Sequence, residues 1–236
     1  MNEQISSRET VLKSSSCLTD EQTLELYLIS LKARVTPAEY QAYVDDYLAS
    51  VEPPALSYAI YNYQQLLAMG YSVDEIVKKT VALSAEGIVD YKSEQDESNY
   101  WLTHRKNSQS LYLCAMHAGI ILGHFSITPV RVKEADEFLA GKRKETEFTV
   151  VTQGELETTE HYLYISAVVV RQRFRNSAVA TKLIRQSYRL LNRHLAANTK
   201  AKGYFAEAYS AQGRKLCELM AMSNIGGEYF IKQYQN

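Results

Sequence analysis

The stretch Tyr162-Leu-Tyr-Ile-Ser-Ala-Val-Val-Val170, continuing as Arg171-Gln-Arg-Phe-Arg175-Asn-Ser-Ala178-Val-Ala180-Thr-Lys-Leu183, decides the fold. Aromatic and β-branched residues dominate its first nine positions, and an almost unbroken apolar run of that length reads as a buried strand. A short basic loop follows, and a helix then opens on small residues. A helix start presents free N–H groups and the positive end of the helix dipole, which makes it a natural seat for phosphate. Ala178 and Ala180 let the backbone approach an anion closely, and Arg171, Arg173 and Arg175 add positive charge to the loop.

Outward from this stretch, the pattern predicts a long helix over Ala178–Ala197, a strand over Tyr204–Tyr209, a helix from Ser210 and a last strand over Glu228–Tyr234. Upstream, Leu111–Met116 and Ile120–Ile127 flank the turn His117-Ala118-Gly119, which signals an antiparallel hairpin closed by Pro129. Residues 131–160 are charged, with one short helix around Lys133–Ala140. The order defines an α/β (α+β) fold with a mixed central sheet flanked by helices.

The N-terminal half reads as helical. Thr19-Asp-Glu-Gln22 and Thr36-Pro-Ala-Glu39 are capping boxes, the second with proline in the first turn. A third helix is predicted from Ala55 to Met69 and a fourth from Ser72 to Gly87. Tyr91–Asn99 is polar and aperiodic. The expected organisation is therefore a disordered lead-in over 1–18, a helical extension over 19–90, a linker or loop over 91–109 and one domain over 110–236. The segment Leu66–Ile76 resembles the turn of a helix-turn-helix, but Asp74 and Glu75 would face phosphates there, so a helical hairpin packed on the sheet is the expectation.

A formal net charge of -1 supplies no global field for nucleic acid or anionic lipid, and nucleic acid is not an expected partner. The 3 cysteines form no CxxC pair, which speaks against a disulfide framework or a structural metal and fits a reducing cytoplasm. No apolar run reaches the roughly 20 residues of a bilayer span, so no membrane partner is expected.

Arg175-Asn176-Ser177-Ala178-Val179-Ala180 resembles the pyrophosphate-binding motif of the GNAT acyltransferase superfamily: Arg or Gln, two residues, Gly or Ala, one residue, Gly or Ala. Tyr162–Val170 is similar to the strand that precedes it there, the 117–125 hairpin to the second and third strands, and Tyr209–Met222 to the last conserved motif. The resemblance covers about residues 110–236. It implies a fold whose fourth and fifth strands part to admit acyl-CoA, most often acetyl-CoA, as co-substrate without a metal. It implies that Val168 and Val170 bond the pantetheine arm and that Arg175 and the amides of Asn176, Ser177, Ala178, Val179, Ala180 and Thr181 hold the diphosphate. The activity implied is N-acyl transfer, most often acetyl transfer, to a primary amine by direct attack on the thioester.

The chain departs from that pattern at the chemistry. Ala178 replaces the first glycine. Cys217 stands where a general-acid tyrosine is usual, although a buried structural thiol is the simpler reading. Ser166 stands where a carboxylate base is common; Glu207, Glu160 and His161 are the other proton acceptors near in sequence. The alternative reading is a catalytically degenerate GNAT-like module that binds acyl-CoA or a protein partner as a sensor. A homodimer is the general prior for oligomeric state.

Overall fold

The computed structural model describes residues 7–51, 56–87, 111–149 and 151–234. Seven strands form one mixed sheet in the order β1-β2-β3-β4-β5-β7-β6. They are β1 (Ala59–Asn62), β2 (Tyr112–His117), β3 (Ile120–Arg131), β4 (His161–Val170), β5 (Ala201–Glu207), β6 (Ser223–Gly226) and β7 (Tyr229–Gln233). Every neighbouring pair is antiparallel except β4 and β5. The helices are α1 (Arg8–Lys13), α2 (Asp20–Lys32), α3 (Pro37–Ser50), α4 (Tyr63–Ala68), α5 (Val73–Gly87), α6 (Val132–Leu139), α7 (Ala178–Ala197) and α8 (Ala211–Leu219).

Local chemistry accounts for most boundaries. Thr19 and Thr36 cap α2 and α3 with reciprocal bonds to Gln22 and Glu39. Ala118 and Gly119 both adopt positive φ, 44° and 76°, as a two-residue hairpin turn requires. Pro129 does not end β3: the strand runs on to Arg131, and Pro129 pairs with Leu163 of β4. Pairing of β2 with β3 stops at Tyr112–Ser126, so by strand alternation the missing proline N–H lies along a free edge.

Two expectations from sequence are corrected. The predicted third helix begins with a strand: Ala59–Asn62 pairs with β2, and Asn62 then caps α4 in a box with Gln65. The sheet thus starts inside the region read as an all-helical extension, not at Ser110. The lead-in is also partly ordered, because Ser7 caps α1 and Arg8 and Leu12 are buried. The predicted linker, residues 91–109, lies outside the described residues.

One face of the sheet is covered by α4 and α5 over Tyr112, Cys114 and Val169, and by α6 over an aromatic cluster. In that cluster the Phe138 ring lies 5.3–5.9 Å from those of Phe148, Tyr164, Phe205 and Tyr229. The other face carries α2 and α3 with the start of α7 at one end, and the rest of α7 with α8 at the other.

A buried ionic cluster ties the N-terminus to the sheet. Arg8 donates to Glu25 through Nε at 3.0 Å and a terminal nitrogen at 2.6 Å, and to the Met69 carbonyl at 3.0 Å. Tyr71 also donates to Glu25, and Lys79 donates to the Gly119 carbonyl at 2.7 Å. A Cβ on Gly119 would lie 2.9 Å from the Glu25 side chain, so glycine serves both the turn and the cluster. Removing one partner strands a buried charge. Glu25→Ala is expected to cost about 3–5 kcal/mol in urea denaturation, whereas Glu9→Ala, which breaks only the exposed pair with Lys13, should cost less than about 1 kcal/mol.

Candidate functional site

The site begins with one extra residue in β4. Ser126 of β3 pairs with Ala167 and Ile127 with Ile165, which leaves Ser166 as a bulge. Pairing of β4 with β5 ends at Ile165–Ala206, next to that bulge. Beyond it β4 continues through Val170 bonded only to β3, while β5 ends at Glu207 bonded to β7. The two strands part there, and Ser166, Ala167 and Val168 are the half-buried residues of an otherwise buried strand.

The Arg171 N–H donates to Leu122 of β3. Alternation along the strand then turns the main-chain groups of Val168 and Val170 toward the gap. The Val170 carbonyl accepts from Arg175 Nε at 3.1 Å, so the Val168 peptide groups are the accessible part of this edge.

A tight turn follows, Gln172–Phe174, with Phe174 buried beneath it. Ser177 caps α7, its hydroxyl donating to the Phe174 carbonyl at 2.7 Å and accepting from Val179 N–H at 3.2 Å. The Ser177 and Thr181 N–H groups bond to the Phe174 and Ser177 carbonyls. Those of Asn176, Ala178 and Ala180 are left over by the turn, as a helix start must leave some. Ala178 is exposed, and Val179 and Ala180 are buried against the sheet.

The three arginines are not equivalent. Arg171 donates to Ile121 and to Glu86, at 2.9 and 2.7 Å, with Asp45 at 3.7 Å, so its charge is spent within the fold. Arg173 donates to the Val51 carbonyl. These two hold α3 and α5 to the turn, and the loop carries less free charge than its composition predicts.

The proposed catalytic residues fall in different places. The Ser166 hydroxyl donates to the Ser126 carbonyl at 3.2 Å. Cys217 is buried in the core under α8, beside Leu163, Tyr204 and Phe230, and burial pushes its thiol up to about 11. Glu207 stands at the mouth of the gap, opposite Tyr229, and accepts from Tyr209 at 2.5 Å. Glu160 and His161 lie at the far end of β4, where Glu160 pairs with Lys202 and burial lowers the His161 pKa.

Sequence reasoning missed the company Glu207 keeps. Tyr164 donates to Glu145 at 2.8 Å, and Tyr164 and Tyr209 each feel both Glu145 and Glu207. Burial first, then these carboxylates, hold the Tyr164 phenol protonated. Glu145 sits in a one-turn helix, Glu145–Glu147, that no periodicity marks. Tyr209 was visible at the strand end, but nothing in the sequence assigned it a partner.

No protein-family model and no curated protein matches the chain. Solved structures do. Arabidopsis thaliana NAA60 in complex with a bisubstrate analogue aligns at TM-score 0.50 and 12% identity, over 76% of this chain and 100% of that one. A GNAT family acetyltransferase from Brucella melitensis in complex with acetyl-CoA aligns at 0.44 and 18%, over 76% and 90%. Mosquito arylalkylamine N-acetyltransferase like 5b gives 0.48 and 11%, over 75% and 100%. The chain has a GNAT-like fold; identities this low speak to fold alone.

The thiols offer a direct check. Cys17 is exposed, whereas burial pushes Cys114 up to about 12 and Cys217 up to about 11. At pH 8 a group of pKa 11 is thiolate in about one molecule in a thousand, and thiolate is the reactive form. A native thiol titration at pH 8 should count one fast-reacting group, Cys17, rising to three on denaturation.

Proposed function

We propose that this chain is an acyl-CoA-dependent N-acyltransferase, most plainly an acetyltransferase, acting on a primary amine. One observation carries the reading: β4 and β5 part at a bulge, directly before a helix start with three uncommitted N–H groups. An acyl-CoA needs both features. Its pantetheine amides can add to the Val168 edge as a short extra strand, and its diphosphate matches amides converging at a helix N-terminus. Asn176, Ala178 and Ala180 supply those amides; Ser177, Val179 and Thr181 shape the turn. Arg175 is exposed at the same turn, where its Nε donates to the Val170 carbonyl.

The chain's own part in the chemistry is positioning and proton transfer. Glu207, at the end of the shorter strand, accepts the proton from the attacking amine. Tyr209, which already donates to Glu207, is mostly exposed and stands nearer to solvent than Cys217 as a proton source for the departing thiolate. Glu145 with Tyr164 adds negative character, which suits an acceptor that arrives as an ammonium ion.

Two substitutions separate binding from chemistry. Ala178→Glu places a like charge at the diphosphate seat and should weaken acetyl-CoA binding at least about tenfold by calorimetry. Glu207→Gln should keep acetyl-CoA affinity and lower kcat about 10²–10⁴-fold in a CoA-release assay across a panel of amines. A wild-type chain that ignores millimolar acetyl-CoA ends the reading. Tight binding with no turnover on any amine turns it into the sensor.

A further inference from the structure

A second surface stands apart from the gap. Helix α7 contains no acidic residue in its 20 positions. Lys182, Arg185, Arg189 and Arg193 are all exposed and share one side of it. Among the described residues, none of the three arginines has a carboxylate partner. Arg193 only turns Nε back to the Arg189 carbonyl at 3.4 Å. Lys182 sits over the Tyr58 ring, 5.2 Å from its centroid.

This ridge borders a cleft of about 660 Å³ between α7 and the β1 edge, with Ile60 and Leu113 as its apolar lining, the amides Asn62, Gln65, Gln186 and Asn192, and the cations Arg189 and Arg193. The capping box of α4 engages two of these amides. Asn62 Oδ1 accepts from Gln65 N–H and Gln65 Oε1 from Asn62 N–H, both at 2.9 Å. Each oxygen already accepts one bond, and each NH2 group remains as a donor. Side-chain amides and two guanidiniums line the cleft, with no carboxylate among the lining residues.

We infer that this ridge and cleft bind single-stranded nucleic acid. Arg185, Arg189 and Arg193 stand about 6 Å apart along the helix axis, and the ridge from Lys182 extends about 16 Å. A row of cations fits a row of phosphates better than it fits one anion. The apolar lining of the cleft, beside these donors, suits a nucleobase lifted from such a strand. The overall charge of -1 conceals the feature because the acids lie on other elements.

The test is fluorescence anisotropy of labelled RNA and DNA strands of about 20 nucleotides with the full chain. Each phosphate neutralised contributes about -0.7 to the slope of log affinity against log salt, so three or four contacts predict a slope between about -2 and -3. Arg189→Glu/Arg193→Glu should weaken binding at least about tenfold, while the charge-matched control Lys133→Glu/Lys142→Glu on the α6 side stays near wild type. Both variants should keep the wild-type circular dichroism and acetyl-CoA affinity, so failure here is distinguishable from failure of the acyltransferase reading. Absence of strand binding at about 50 mM salt, equal loss in the control, or a mononucleotide bound as tightly as the strand would each overturn the inference.

Discussion

Past Ile165, β4 cannot serve both of its neighbours. The extra residue at Ser166 shifts its register against β3, and the bend removes it from β5 at the same point. A bulge raises local twist and leaves one residue unpaired. Here that small defect opens a sheet interior that would otherwise be closed by continuous parallel pairing. The unpaired edge at Val168, the exit of β4 into its turn and the place of Glu207 at the mouth of the gap all descend from it.

The surrounding structure holds this opening in place. Phe174 anchors the turn from below, and Ser177 fixes the first turn of α7. On the opposite side, the Phe138 cluster locks the rings of Tyr164 and Tyr229 near the point where β4 and β5 stop pairing. Gly203 sustains β5 in its pairing with β7: its φ is +143°, and a Cβ there would lie 1.9 Å from the Lys232 carbonyl oxygen. Rigid neighbours matter to the proposed function because attack on a thioester would work by position, and looseness at Glu207 would then cost rate directly.

Charge is distributed by tertiary pairing rather than by composition. Three arginines cluster in sequence at the β4–α7 loop, yet Arg171 and Arg173 are consumed in tying α3 and α5 to it. The arginines along α7 are scattered in sequence, and they form a row without carboxylate partners among the described residues. Neighbourhood along the chain and neighbourhood in space thus rank the same residue type in opposite order.

The sequence alone determined the strand at 162–170, the helix at Ala178–Ala197 and the 117–120 turn, because periodicity, small residues at a helix start and positive-φ demands are local. It also marked the turn before α7 as a source of free amides, since a helix start exposes them whatever packs on it. It misread β1 as helix, because a four-residue edge strand ending in a capping residue has too little periodicity to separate from the helix it caps. Only the tertiary structure decided that Ser166 is a bulge, that Cys217 lies in the core, that Glu207 shares its corner with Glu145, Tyr164 and Tyr209, and which arginines lack a carboxylate partner. Each of these depends on register and contact between segments remote in sequence, and no local pattern encodes the partner on the other side.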